Sequence, residues 1–420
     1  MLKKIEIPPS ITTIESYAFY LCTSLVEVVI PSSVNYIGYS AFYKCISLEK
    51  IDIPPSVNCI SSESFKGCSS LKQIKITSPK ISLDGCVFEN CYSLVFASFQ
   101  SSSSSLLRRS FANCFALKEI QLPSSLKEIK DEVFQNCYSL VTIKIPSSVG
   151  SIGMRAFENC KSLIEINIPL IKNISKEMFK NCSSLKKINF SNPKQIETIE
   201  SFAFYKCSSL IDLPIFPNVY SIGEFAFAGC SSLAKDQIST ELTTIKSNIH
   251  QNCKEIEEVT IFSSITKIEP SAFRGCSSLY RVDFCNCDIS SLKSSIFWGC
   301  SSLIEITIPS SVITIWNSAF RDCISLRKIS FEMHSKLNLI RSDAFFGCKS
   351  LEKIDLPAPL KTVRKNAFRK CSNLVKIVLP TTLKSIDLEQ FNECGSLVEI
   401  TLPSNIPTSV IPPNVKIIQI

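Results

Sequence analysis

Phe-x-x-Cys-x-x-Leu recurs from one end of this chain to the other, and its spacing leaves few folds open. The copies begin at Phe19, Cys22 and Leu25, continue at Phe42, Cys45 and Leu48, and end at Phe391, Cys394 and Leu397. Seventeen cysteines share this register, and 12 of the 16 gaps between them are 23 residues long; the others are 22, 24 or 25. A unit of that size cannot enclose a core alone, so copies must stack into a solenoid in which each contacts mainly its neighbours. The repeat therefore overrides the two or three globular domains that 420 residues would otherwise suggest. One repeat domain over 1–420 is expected, with a short terminal strand segment at 403–420.

Residues 42–65 show how a unit works. Phe42-Tyr43-Lys44-Cys45 leads into Leu48-Glu49-Lys50-Ile51-Asp52-Ile53, followed by Pro54-Pro55-Ser56-Val57, Ile60 and the next phenylalanine, Phe65. The Leu-x-x-Ile-x-Ile stretch alternates with the period of a half-buried strand, placing Leu48, Ile51 and Ile53 inside and Lys50 and Asp52 outside. Pro54 ends the ladder because it lacks an N–H and fixes φ. Val57 and Ile60 fill the return, and Phe65 and Cys68, three residues apart, are expected on one side of a short helical turn. The expected fold class is an α/β solenoid. It would be a leucine-rich repeat arc of about 17–18 coils, each with one short parallel strand and an irregular or short helical return.

Deviations from the period mark places to watch. The units containing Asn189 to Pro193 and Glu332 to Ser335 are longer by two residues, and the unit with Cys285-Asn286-Cys287 is longer by one. Extra residues emerge as loops on one face, where binding sites are common and neutral drift in exposed turns is commoner. The phenylalanine fails once, at His250, and Ile249 is expected to fill its place. The strand before it decays to Leu233-Ala234-Lys235-Asp236-Gln237-Ile238, so this is the coil expected to bend or open. The serine run Ser101 to Ser105 reads as a surface turn, since Leu106, Phe111 and Cys114 resume the register. Neither end carries a polar capping unit, and an exposed end coil invites end-to-end homodimer formation.

The cysteines look like a disulfide framework until their spacing is considered. Seventeen occupy the same layer of successive coils with parallel Cβ vectors, which suits a buried ladder of free thiols better than disulfide geometry. Of the remaining four, Cys59, Cys86, Cys285 and Cys287, the last two are too close together for the usual zinc spacing. Neither histidine, His250 or His334, completes a ligand set, so no metal and no cofactor is expected. Two isolated histidines and 11 glycines in all also leave no base supply and no phosphate-cradling loop, so no catalytic residue is assigned and no enzyme is expected. A net charge of +8 with both signs interspersed leans toward acidic partners. It lacks the clustered basic and aromatic residues of a nucleic-acid surface. Apolar runs are short, so no transmembrane segment is expected. Met1 to Pro8 already reads as a repeat strand rather than as a targeting segment. Asn173, Asn181 and Asn189 fit the N-glycosylation pattern, at a frequency that serine content alone explains.

The unit Ile145-Pro146-Ser147-Ser148-Val149, Ile152-Gly153, Ala156-Phe157, Cys160-Lys161-Ser162-Leu163, Ile166, Ile168-Pro169 resembles the BspA-like (Treponema-type) leucine-rich repeat family. The likeness covers residues 2–402. It implies a non-enzymatic, protein-binding solenoid, a cell-surface or secreted antigen or adhesin that engages host cells or extracellular-matrix proteins. The alternative is an intracellular interaction scaffold, and cytoplasmic location stays open because no signal or anchor is visible. The expected partner-binding face is the outward side of the strands: Glu27, Lys50, Asp52, Gln73, Lys75, Phe96, Glu119 and Gln121, then Tyr280, Arg281, Asp283, Glu305, Lys353 and Asp355. A wide polar face suits a protein partner better than a small molecule, and its aromatics Phe96 and Tyr280 are of the type that anchors interfaces.

Overall fold

Along each Leu-x-x-Ile-x-Ile stretch, alternation becomes structure. In Gln73–Ile76 the residues Gln73 and Lys75 are exposed while Ile74 and Ile76 are buried. The computed structural model describes residues 2–99, 104–387 and 390–420 and divides into two units, Met1–Pro214 and Ile215–Ile420. Both are parallel β-solenoids. In the first unit Glu27–Val29 pairs with Lys50–Ile51, and Gln73–Ile76 with Phe96–Phe99, each strand lying one repeat from its neighbour. In the second, Glu305–Ile308 pairs with Lys328–Phe331, and Lys376–Val378 with Glu399–Leu402. The expected terminal strand is Lys416–Gln419, paired with Glu399–Leu402. Of the serine run, Ser101 to Ser103 lie outside the described residues, and Ser105 begins the strand Ser105–Leu106.

Two expectations need correction. One strand per repeat is expected, and the structure has two. A second ladder of two-residue strands runs through Thr13–Ile14, Tyr36–Ile37 and Cys59–Ile60 in the first unit. In the second unit it runs through Ser291–Leu292, Thr314–Ile315 and Leu339–Ile340. Two residues are too few to show alternation, so periodicity could not reveal them. The short helical turn, and with it the α in α/β, is not found. Among the described residues the only helical segments are the 3₁₀ turns Pro193–Gln195 and Thr408–Val410.

The backbone hydrogen bonds explain why the return is not helical. The N–H groups of Ala18, Tyr20 and Cys22 turn back to the carbonyls of Glu15, Tyr17 and Phe19 (3.2, 3.0 and 3.1 Å), while those of Tyr17, Phe19 and Leu21 reach Tyr39, Ala41 and Tyr43 of the next coil (3.0, 2.8 and 2.9 Å). An α-helix directs every N–H back along its own axis; here alternate groups tie the coil to its neighbour. The geometry needs a left-handed residue just before each ladder cysteine, as at Gly67 (φ 79°), Asn90 (63°) and Asn136 (60°). Glycine and asparagine recur there because they tolerate that conformation.

Inside the coils the phenylalanines stack face to face. In the first unit the ring centroids from Phe19 to Phe204 are 5.0–5.9 Å apart. Beside them, ladder thiols donate to the carbonyl of the ring residue one coil earlier, as from Cys68 to Phe42 (3.2 Å), from Cys160 to Phe134 (3.3 Å) and from Cys276 to His250 (3.2 Å). All 21 cysteines are free. Burial pushes up the thiols of buried ladder cysteines such as Cys68 and Cys160, and to about 12 for Cys45 and Cys276, so these hold their protons and are poor nucleophiles.

His250, and not Ile249, takes the vacant phenylalanine slot. Its ring lies between Phe227 and Phe273 at 5.3 and 5.7 Å, nearly parallel to both. Ile249 is buried where other coils carry alanine, as at Ala226 and Ala272. Both ring nitrogens of His250 are buried without a hydrogen-bond partner, and burial lowers its pKa to about 3. The coil before it is indeed weak. Leu233 to Ile238 forms no strand, and neither does Leu210 to Phe216, where Pro214 withdraws an N–H from the middle of the expected strand. The lengthened coils emerge as expected: the first as the 3₁₀ turn Pro193–Gln195, capped by Asn192, the second as a loop with His334 at φ 58°.

Three measurements test this interior. Phe157, fully buried, should cost about 3–5 kcal/mol when truncated to alanine; an unchanged melting temperature would contradict a buried ring ladder. Denaturing thiol titration without reductant should return all 21 thiols, whereas native labelling should be confined to the half-exposed Cys22, Cys59, Cys86 and Cys285. The unfolded chain binds a proton at His250 more readily than the folded one, so the stability from the neutral ring is whole above the ordinary pKa of 6.5 and falls as pH drops toward 3. The loss should be roughly 2 kcal/mol at pH 5. In urea unfolding followed from pH 7.5 to 5, His250→Phe should flatten this slope, and an unaltered slope would assign it elsewhere.

Candidate interaction surfaces

A solenoid coil offers a strand side, a turn side and the corners between them, and the side chains differ on each. On the strand side of the first unit, Glu27, Lys50, Asp52, Gln73, Lys75, Glu119 and Gln121 are exposed, and Phe96 is half-buried. Phe96 sits in register between Gln73 and Glu119 of the flanking strands. Several charges are paired within the face: Lys4 with Glu27 at 3.3 Å and Lys50 with Asp52 at 3.1 Å. Such exposed pairs order side chains more than they stabilise the fold.

In the second unit Arg281, Asp283, Glu305, Lys353 and Asp355 are exposed on the strand side. Arg281 pairs with Asp283 (3.7 Å) and Lys353 with Asp355 (3.0 Å). Tyr280 lies one residue ahead of its strand, at the corner, and its hydroxyl donates to the carboxylate of Glu258, which raises the phenol pKa. Lys328, Lys353 and Lys376 stand in successive register positions, bounded by Glu305 on one side and by Glu399, 2.7 Å from Lys376, on the other.

Two hollows open beside these residues. A groove of about 540 Å³ runs along the corner, with Ser278, Ser302 and Ser325 on one wall and Tyr280, Ile304 and Arg327 on the other. A wider cleft of about 1020 Å³ lies between the lengthened coil, at Phe331 and His334, and the corner Pro357 to Pro359, with Lys353 and Asp355 in its lining. It opens because Lys328–Phe331 and Lys353–Asp355 share one register pair, Lys328 with Lys353.

The turn side escaped the sequence reading. In the first unit Lys66 bridges Glu63 (2.8 Å) and Glu89 (3.3 Å), Arg109 reaches Glu89 (2.7 Å), and Arg155 and Lys180 both hold Glu177 (2.9 Å each). The Arg155 hydrogen bond, helped by Lys180 and opposed by burial, lowers the Glu177 pKa to about 2. Alongside runs an asparagine ladder in which Asn113, Asn136, Asn159 and Asn181 each donate to the asparagine one coil earlier, at 2.6–2.8 Å. In the second unit cations cover aromatic rings, Arg274 on Trp298 at 3.9 Å and Arg341 on Trp316 at 4.0 Å. These charges serve one another. The only available signal was like positions recurring at the repeat interval, which means nothing until the coils are stacked.

The ladder also engages Asn181, one of the three glycosylation-pattern asparagines; Asn189 donates to Asn167 at 2.8 Å, and Asn173 is exposed. Among the described residues no cluster of His, Cys, Asp or Glu is arranged to hold a metal ion, and no helix is long and apolar enough to cross a membrane.

A family model described as BspA type leucine rich repeat region (6 copies) matches residues 1–117, 104–218, 197–327 and 290–411. Among solved structures, a leucine-rich repeat protein from Bacteroides ovatus is 25% identical, with a TM-score of 0.56 over 100% of this chain and 92% of that one. One from Eubacterium ventriosum is 20% identical, with a TM-score of 0.50 over 72% of this chain and 83% of that one. A leucine rich cell surface protein from Faecalibacterium prausnitzii is 24% identical, with a TM-score of 0.45 over 76% and 82%. No curated protein matches the chain. With matched segments running almost end to end over these stacked coils, the chain belongs to the BspA type leucine-rich repeat family.

Proposed function

We propose that this protein is a non-enzymatic binding solenoid, a cell-surface antigen or adhesin that engages host-cell or extracellular-matrix proteins through the outward residues of its strands. The observation that carries this reading is the contrast between the two sides of each strand. Inside, Phe, Cys, Leu and Ile repeat coil after coil. Outside, the positions equivalent to Lys50 hold Gln73, Phe96, Glu119, Thr142 and Glu165 in turn. Packing demands the first pattern and leaves the second free to be shaped by a partner. A rigid array at strand spacing, about 4.8 Å, matches a folded protein surface, and its two hollows, an open groove and an open cleft rather than enclosed apolar cavities, suit a small ligand poorly. Membership of the BspA type family supports display at a surface.

An intracellular scaffold using the same face is the second reading. The 21 free thiols favour it, since oxidising compartments tend to pair cysteines. End-to-end pairing of two copies is a separate part of the proposal that sedimentation at rising concentration would test.

Surface labelling of intact cells separates the two readings. For the binding itself, the purified chain should retain at least one protein from a panel of matrix and host-surface proteins. The exposed charge reversals Lys50→Glu with Lys75→Glu, or Arg281→Glu with Lys353→Glu, should weaken that binding about tenfold, ~1.4 kcal/mol, without moving the melting temperature. Retention that ignores all four changes would remove the strand face from the proposal.

A further inference from the structure

In the first unit, the corner leading into the long strands carries an apolar surface that the packing does not use. Two columns of side chains meet there, one just after each ladder cysteine and one just after each ladder leucine. In the first column Tyr92, Phe115 and Tyr138 stack at 4.8 and 4.9 Å. In the second stand Val95, Val141 and Ile164. The columns are held in register by coil-to-coil hydrogen bonds from Ala116 N–H to the Tyr92 carbonyl (3.1 Å) and from Ile164 N–H to the Val141 carbonyl (3.1 Å). Tyr92, Val95, Tyr138, Val141 and Ile164 are each 36–45% exposed, a contiguous strip rather than scattered surface residues.

From the coil of Cys68 to that of Cys182 the charges in these columns have one sign, and Glu49, after the ladder leucine of the preceding coil, lies outside that span. Lys118 lies between Val95 and Val141, Lys161 places its ammonium 4.9 Å from the centre of the Tyr138 ring, and Lys186 follows Ile164. From the coil of Cys68 to that of Cys182 neither column holds an acidic residue. Lys72 is neutralised by Glu49 at 2.7 Å. The nearest carboxylates, Glu119 and Glu165, stand one position further on, where Gln121 and Asn189 donate to them (3.4 and 2.5 Å). In the second unit the same columns mix Lys254, Glu257, Arg327 and Glu352, so the pattern belongs to the first unit.

We infer that this corner docks an acidic segment of a protein partner that also carries apolar side chains. The stacked rings spend their faces on one another and present their edges outward. Ring edges carry partial positive charge, and with three lysines beside them they favour carboxylates, while the valines and Ile164 offer apolar area between. A sugar would need an open ring face. The inference rests on the protein-binding reading and names a second surface for it, distinct from the strand face.

The test uses the full chain and a fluorescent twelve-residue peptide of Glu, Asp, Leu and Phe, followed by anisotropy. Two control peptides replace its acids with lysine or its apolar residues with serine. The acidic-apolar peptide should bind in the micromolar range, neither control should bind, and added salt should weaken the complex. Lys118→Glu alone, and Tyr92→Ser with Tyr138→Ser, should each lower affinity at least tenfold at unchanged melting temperature, while Lys50→Glu on the strand face should have no effect. Should the tyrosine variant lose stability, Lys118→Glu, a change at an exposed side chain, decides. Absent binding, or equal binding of the serine control, overturns the corner site. Sensitivity to Lys50→Glu but not to Lys118→Glu overturns it while leaving the strand-face reading intact.

Discussion

The carbonyl oxygens of ladder phenylalanines such as Phe19, Phe42 and Phe134 each accept two hydrogen bonds, and the stack depends on that pairing. Phe19 takes the amide N–H of Cys22 in its own coil at 3.1 Å and the thiol of Cys45 in the next, also at 3.1 Å. The first bond closes the turn; the second fixes the neighbour at one repeat's distance. A buried carbonyl left short of partners costs free energy, so the position calls for a side chain small enough for the layer and still able to donate. Cysteine meets both demands. Its persistence follows from carbonyl satisfaction and packing, with no role for disulfide chemistry.

The same dependence on the neighbouring coil governs the polar residues. Alternate N–H groups of each return leave the coil, the asparagines donate to one another in file, and Glu89, Glu132 and Glu177, nearly buried, are neutralised by cations from adjacent coils. The turn side is thereby committed to holding the stack together. The strand side and the first unit's lysine-flanked corner are the surfaces we propose for recognition. His250 is where the interior logic is least satisfied. It copies the shape of a phenylalanine and adds two nitrogens with nothing to bind, beside a stretch that forms no strand. Acid should find this place first.

Reading the repeat as a strand-forming unit succeeded wherever a segment was long enough to alternate, as in Gln73–Ile76 or Glu305–Ile308. It failed at the two-residue strands and at the return. There, a three-residue spacing between Phe65 and Cys68 fits a helical turn as well as the observed chain of turns. The outward strand residues were legible because alternation assigns sides. The aromatic and lysine columns of the corner were not, because Tyr92, Phe115 and Tyr138 become neighbours only when three coils are superposed.

By itself the sequence determined the stacking, the interior ladders of Phe, Cys, Leu and Ile, the unpaired state expected of the thiols, and the weak coil before His250. All of these follow from the constant interval and from the pattern of apolar residues within one unit. Tertiary structure alone decided which hydrogen bonds leave the coil and that the return is not helical. It also decided that His250 rather than Ile249 fills the ring slot, and which charges spend themselves on one another. Those outcomes depend on contacts between residues about 23 positions apart, whose distances and directions arise only once the coils lie on top of each other.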